Sequence, residues 1–372
     1  MQRYEHGGNP YSLEQTTGVP LDSVADFSAN INPLGPSPKG LNAVMEALNA
    51  ERGPLTRYPD PQYTKLRKRL AAYHGGALTE AHLYPSNGGI EAIHDVFRAL
   101  KPSKVMIVSP AFVEYEKAAR AHAAEVVYFD LSPDADFKLE RSAFLSAVDH
   151  QKPDLVVLGS PNNPTGQLVE KAVLKESLTR LSVWGGALLT DEAFMDFLAE
   201  ETSNSWSMAC EVPEWENLFV TRSLTKFFAV PGLRAGYLIT SSKVFEAYWQ
   251  QVKPVWGMNA LAEAYVLAAI DDSEYIEKTR TELSRLKSDL TKSLSAFKPV
   301  VRFSGEVNYL LIRVDEPFQR TLKQGLEASG ILIRDCANYR GLGQGYFRLA
   351  VLGDEDQTRL IKALSTLLVI NE

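Results

Sequence analysis

The sequence predicts an α/β protein, with a large, doubly wound, mostly parallel sheet domain and a smaller α+β domain after it. Three observations carry that expectation. Six short apolar runs, at 105–108, 126–129, 155–158, 187–189, 218–220 and 235–239, are separated by stretches of helical spacing. Their unbroken Val/Leu/Ile character suits strands covered on both faces, and such strands are largely parallel, with helical crossovers between them. The C-terminal part instead offers candidate strands at 308–313, 331–334 and 346–351, then a closing helix with Leu360, Ile361, Leu364, Leu367 and Leu368 on one side.

Taken in order, the chain divides at about 44 and 258. Residues 1–44 are rich in turn formers, as in His6-Gly7-Gly8-Asn9-Pro10 and Asn30-Ile31-Asn32-Pro33-Leu34-Gly35. They are expected to be irregular, to lie over a surface or cleft, and to join the smaller domain. Residues 45–258 make the large domain. Tyr63, Leu66, Leu70 and Tyr73 recur at helical spacing, as do Ile90, Ile93, Phe97 and Leu100 after Gly88-Gly89. Residues 259–372 open with a long helix, 259–295, and close with the α+β unit.

Composition narrows the function. The chain has 372 residues, with 46 Asp+Glu against 39 Lys+Arg, so no basic surface for nucleic acid is expected. A small anionic substrate remains open, because one or two arginines suffice for that. The two cysteines, Cys210 and Cys336, form no C-x-x-C pair, and the six histidines lack ligand spacing, so neither disulfide nor metal is expected. No apolar run is long enough for a membrane span, and residues 1–20 have no secretory apolar core, so the expected setting is the cytoplasm.

Four motifs follow one another in an informative order. Ser160-Pro161-Asn162-Asn163-Pro164-Thr165-Gly166 is a turn after a strand, with the amide of Asn163 as a candidate donor. Thr190-Asp191-Glu192-Ala193-Phe194 lies at a strand's carboxyl end, where open α/β sheets bind ligands. Then come Ser223-Leu224-Thr225-Lys226 and Gly232-Leu233-Arg234-Ala235-Gly236. A lysine just beyond a buried strand and near other cations loses its proton readily, and a neutral amine is a nucleophile. Each motif alone reads as a helix cap, a turn or a solvated charge. Ser86-Asn87-Gly88-Gly89, between a strand and a helix, is a candidate anion site through its backbone N–H groups. Arg334 and Arg348 sit inside apolar strands, where an arginine needs an anionic partner.

Together these motifs resemble the pyridoxal-phosphate enzymes of the aspartate-aminotransferase fold (fold type I). The resemblance implies that Lys226 carries the cofactor covalently. It implies that Asp191 pairs with the pyridine nitrogen and Asn163 with its phenolic oxygen. Phe112 would stack on the ring, and Phe194 would belong to the cofactor site. Ser86, Asn87, Gly88, Ser223 and Arg234 would hold the phosphate, with Tyr58 reaching it from the other subunit of a homodimer. His6-Gly7-Gly8-Asn9, residues 26–35, Arg222-Ser223-Leu224-Thr225-Lys226-Phe227 and Arg334-Asp335-Cys336-Ala337-Asn338-Tyr339 are similar to the threonine-phosphate decarboxylases of cobalamin biosynthesis. The histidinol-phosphate aminotransferases share most of the cofactor motifs and are the alternative; they usually have tyrosine where Phe194 stands. The narrower resemblance implies a small anionic amino-acid phosphate as substrate. His6, Asn32, Arg334 and Arg348 would hold its carboxylate and phosphate, with no assignment of which residue takes which group.

Overall fold

The computed structural model describes residues 7–368. The large sheet is built from β1 (Leu83–Ser86), β2 (Lys104–Ser109), β3 (Glu125–Asp130), β4 (Leu155–Gly159), β5 (Ala187–Asp191), β6 (Leu218–Ser223) and β7 (Gly236–Thr240). Their order is β1-β7-β6-β5-β4-β2-β3. Every residue of β4, β5, β6 and β7 is buried, which accounts for runs without polar alternation. β3, β2, β4, β5 and β6 run parallel, whereas β7 lies antiparallel to β6 and β1 antiparallel to β7. The reversal has a local cause. Ser223 pairs with Gly236 across β6 and β7, so the chain between them, with its single turn of helix at Leu224–Phe227, returns at the same sheet edge instead of crossing over.

The second sheet contains β8 (Val300–Arg302), β9 (Tyr309–Val314), β10 (Arg334–Asp335) and β11 (Tyr346–Ala350), in the order β10-β11-β9-β8 and all antiparallel. Ala25–Asp26 pairs in parallel with Ile331–Leu332, which ties the N-terminal segment to this sheet's neighbourhood. The stretch 331–334 therefore serves two sheets rather than forming one strand.

Two further expectations need correction. The helix expected over 259–295 is two helices, Ala260–Ala269 and Ser273–Leu294, broken where Asp272 turns its carboxylate to the Ser37 hydroxyl at 2.7 Å. The supposedly irregular N-terminus holds a helix, Pro10–Thr17, started by proline at its first position and by the Asn9 side chain accepting from the Ser12 N–H at 3.3 Å. Among the described residues no helix is long and apolar enough to cross a membrane. The parallel strands bring the carboxyl ends of β4, β5 and β6 to one edge, so Asp191, which ends β5, and the segments after β4 and β6, which hold Asn163 and Lys226, converge there.

Candidate active site

Lys226 lies in the single helical turn after β6, with its Nζ 3.2 Å from Thr225 Oγ1, 3.4 Å from Ser223 Oγ and 5.9 Å from the centre of the Phe194 ring. Burial is the main reason its pKa falls to about 8; the Asp191 carboxylate opposes the fall, and the Arg234 and Arg348 guanidinium groups add to it. A substantial share of the amine is therefore neutral near physiological pH.

Asp191 ends β5. One carboxylate oxygen accepts from the Tyr115 hydroxyl at 2.7 Å; the other accepts from the Thr221 hydroxyl at 3.0 Å and the Ala193 N–H at 3.1 Å. Burial pushes its pKa upward against the pull of these donors and of Lys226. The neighbouring Glu192 points elsewhere, toward Ser207, the Met208 N–H and the buried Arg222, which makes it part of the frame.

Asn163 and Arg348 meet directly, the guanidinium donating to Asn163 Oδ1, while the second Arg348 nitrogen donates to the Ser28 carbonyl at 2.8 Å. The Tyr339 hydroxyl also faces Asn163 Oδ1 at 3.4 Å. The Arg348 Nε is buried without a hydrogen-bond partner. Arg334 pairs across the strands with Arg348, donates to Asn338 at 2.8 Å and lies over the Tyr339 ring. Phe194 is buried edge-on to Tyr309, and Phe112 meets Tyr115 edge-on at 5.8 Å.

The anion cup is shaped by glycines. A Cβ on Gly88 (φ +90°) would stand 2.6 Å from Arg234 Nη2, and one on Gly236 would stand 2.5 Å from the Gly89 nitrogen. Arg234 thus lies over the start of helix Gly89–Leu100, with Ser223 Cβ 3.5 Å from the position a Gly89 Cβ would take. The donors differ by a residue from the sequence expectation. The Asn87 N–H goes to Glu91 at 2.6 Å, the Gly88 N–H to the Ser86 carbonyl at 2.8 Å, and the Ser86 hydroxyl to the Gly88 carbonyl at 3.0 Å. The helix has no side-chain cap, so its first-turn N–H groups, from Gly89 onward, face the cup.

Asn32 requires correction as a substrate holder. Its amide nitrogen donates to the Phe227 carbonyl and to the Tyr275 and Thr279 oxygens, its Oδ1 accepts from the Leu34 N–H, and its own N–H donates to the Lys226 carbonyl at 3.0 Å. Asn32 fixes the lysine turn from behind. The residue that sequence reasoning missed is Asn30, whose amide is 4% exposed with both polar atoms lacking a partner. It lies between Ser28, which touches Arg348, and Asn32, which touches the lysine turn. Buried amides are almost always paired, so this one is a candidate to hold a ligand. Tyr115 was also missed, although it is three residues beyond Phe112 and so on the same helical face. Tyr58 lies apart, 79% exposed and stacked on Trp256 at 4.4 Å. His6 lies outside the described residues.

These groups fit pyridoxal phosphate. The cup suits its phosphate, the Asp191 carboxylate its protonated ring nitrogen, and the low-pKa amine its aldehyde.

The model of the family "Aminotransferase class I and II" matches residues 22–364. Threonine-phosphate decarboxylase of Salmonella typhimurium is 35% identical, covering 98% of this chain and 96% of its own. The adenosylcobalamin biosynthesis bifunctional protein CobDQ of Leptospira interrogans is 30% identical over 98% of this chain and 41% of its own. The crystal structure of histidinol-phosphate aminotransferase from Clostridium acetobutylicum superposes with a TM-score of 0.83 at 29% identity, covering 92% of this chain and 98% of that one.

Proposed function

The chain belongs to the class I and II aminotransferase family, and from that premise we propose that it is a pyridoxal-phosphate decarboxylase, converting L-threonine O-3-phosphate to (R)-1-amino-2-propanol O-2-phosphate and CO₂ in cobalamin biosynthesis. The observation that carries the substrate class is the register of Arg334 opposite Arg348 on adjacent antiparallel strands. Residues directly opposite on an antiparallel pair present their side chains to the same face, so the two guanidinium groups make a paired donor site suited to anions. A substrate with both a carboxylate and a phosphate supplies two. The similarity to the Salmonella decarboxylase over nearly the whole of both chains supports the same reading.

The bound cofactor supplies an electron sink that weakens whichever Cα bond stands perpendicular to its ring. The protein decides which bond that is. Arg334, Arg348 and Asn30 hold the substrate's anionic groups and so fix its rotation about the bond from nitrogen to Cα. Asp191 keeps a negative charge against the ring nitrogen. Lys226 would hold the cofactor by its aldehyde, and its free amine would carry the proton that the substrate Cα takes up in place of the lost carboxylate. Phe194, whose ring centre lies 5.9 Å from the Lys226 amine, has no proton to give. The alternative, an aminotransferase for histidinol phosphate, rests on the shared cofactor machinery and on a fold superposition of TM-score 0.83.

The test is the product. Purified, cofactor-loaded protein given L-threonine O-3-phosphate should release one CO₂ per substrate, with no 2-oxo acid formed. Silence with this substrate, together with amino transfer from histidinol phosphate to 2-oxoglutarate, would overturn the decarboxylase in favour of the aminotransferase.

The same reading makes the enzyme a cytoplasmic homodimer. Tyr58, Leu55, Val252, Val255 and Trp256 are all exposed, as are Leu41, Met45 and Leu48 on helix Pro38–Asn49. So much exposed apolar surface in neighbouring segments suits a permanent interface. Both cysteines are free, in keeping with a reducing compartment. Sedimentation should give twice the 41.2 kDa chain mass, and Tyr58→Asp should shift the protein toward monomer.

A further inference from the structure

Behind the anion cup lies a charged cluster that none of the roles above uses. Lys253 is 8% exposed, with only 4% of its side chain reaching solvent. Its ammonium is 3.3 Å from Glu91 Oε2 and is bonded to Asp95 Oδ2. Asp95 Oδ1 is held by the Tyr248 hydroxyl at 2.7 Å and Arg98 at 3.0 Å. The Trp249 ring lies 5.3 Å from the Lys253 nitrogen. A buried ammonium is unfavourable unless its partners are well placed, and both carboxylates belong to the helix that begins at the cup, Gly89–Leu100.

The same oxygen that meets Lys253, Glu91 Oε2, accepts the Asn87 N–H at 2.6 Å. That bond draws the Asn87 N–H back onto the helix, and the cup is left to the donors from Gly89 onward. The arrangement carries an electrostatic penalty. A carboxylate in the first turn of a helix suits the helix, but it repels a phosphate bound at the same end. Lys253 meets that carboxylate at 3.3 Å and offsets its charge.

We propose that Lys253 and Glu91 are positioning residues for the cofactor phosphate: Glu91 sets the loop Ser86–Gly88, and Lys253 neutralises Glu91 so that the cup accepts a dianion. Neither touches the cofactor. Lys253 also stands in the exposed apolar segment 252–256, next to Val252 and three residues before Trp256, which stacks on Tyr58. The ion pair therefore links the proposed subunit face to the phosphate cup. The inference rests on the pyridoxal-phosphate reading and is independent of which reaction follows.

The test compares equilibrium binding of pyridoxal phosphate with that of pyridoxal, which lacks the phosphate, to the cofactor-free full chain. Both are followed by absorbance. Lys253→Met should weaken pyridoxal phosphate by about tenfold, the scale of one unneutralised charge behind the cup, and leave pyridoxal within about twofold. Adding Glu91→Gln should restore most of the loss, since the amide oxygen still accepts the Asn87 N–H and the repelling charge is gone. Glu91→Gln alone should bind pyridoxal phosphate at least as well as the parent, which keeps the test valid if Lys253→Met does not fold. Equal loss of both ligands, no loss, or no rescue by Glu91→Gln would overturn the proposal. Failure of the parent protein to bind pyridoxal phosphate at all would instead sink the cofactor reading.

Discussion

Lys226→Ala is expected to reduce turnover by roughly 10⁴-fold or more, because in the proposed reaction one side chain supplies both the covalent hold on the cofactor and the proton for Cα. The fold should survive. Lys226 sits in a single buried turn whose backbone is held by the Asn32 N–H donating to the Lys226 carbonyl and the Val230 N–H donating to the Thr225 carbonyl, and the replacement removes a desolvated amine rather than a packing side chain. The variant should still take up the cofactor non-covalently, since the cup, Asp191 and Asn163 are intact, but should lack the absorbance of the lysine-linked form. The pH dependence has a definite sign. An amine whose pKa is lowered to about 8 is a non-nucleophilic ammonium below that value and a free nucleophile above it. The rate at which cofactor-free parent protein captures pyridoxal phosphate should therefore climb as pH rises through about 8 and then level. A profile that keeps rising toward pH 10 would mean that Lys226 is not desolvated as the structure has it.

The residues that the sequence singles out are those whose chemistry is concentrated in a short motif. The run from Ser223 to Lys226 needs a strand end, a tight turn and a buried amine, and few sequences satisfy all three. The same holds for Gly88 and Gly236, where the closeness of Arg234 and of the Gly89 nitrogen excludes a side chain. What could not be read depended on packing at a distance. In Asn30-Ile31-Asn32 two asparagines stand two residues apart in an irregular segment, and only the positions of Tyr275 and Thr279, on a helix more than 240 residues later, decide that Asn32 is bound up and Asn30 is open. The direction of β7 was equally hidden, because an apolar run reads the same in either direction; the register of Ser223 with Gly236 settles it. Helix Gly89–Leu100 shows a third kind of gap. Glu91 and Asp95 occupy ordinary solvent-like positions by spacing, and nothing local announces that Lys253 will be buried against them.

Asp191→Asn should lower turnover by about 10³-fold, on the scale of losing a preorganised charge at the reacting ring, and its accompanying effects separate that role from a structural one. The carboxylate raises the Lys226 pKa, in opposition to burial and to the two arginines. Removing the charge should therefore move the pH profile of cofactor capture to lower pH, even though the bond that capture forms is to the Lys226 amine and not to Asp191. Stability should respond in the opposite sense to activity. The folded-state pKa of Asp191 is raised, with burial the largest cause, so ionising it disfavours the folded state. That penalty is absent below the unfolded carboxyl pKa, near 3.8, and fully present above the raised folded value. An asparagine avoids it and still offers an oxygen to the Thr221 hydroxyl and the Ala193 N–H. The cofactor-free variant should therefore melt no lower than the parent at pH 7, with any advantage shrinking as the pH falls toward 4. A variant that loses activity and melting temperature together, with no shift in the capture profile, would make Asp191 a packing residue and leave the ring nitrogen without its partner.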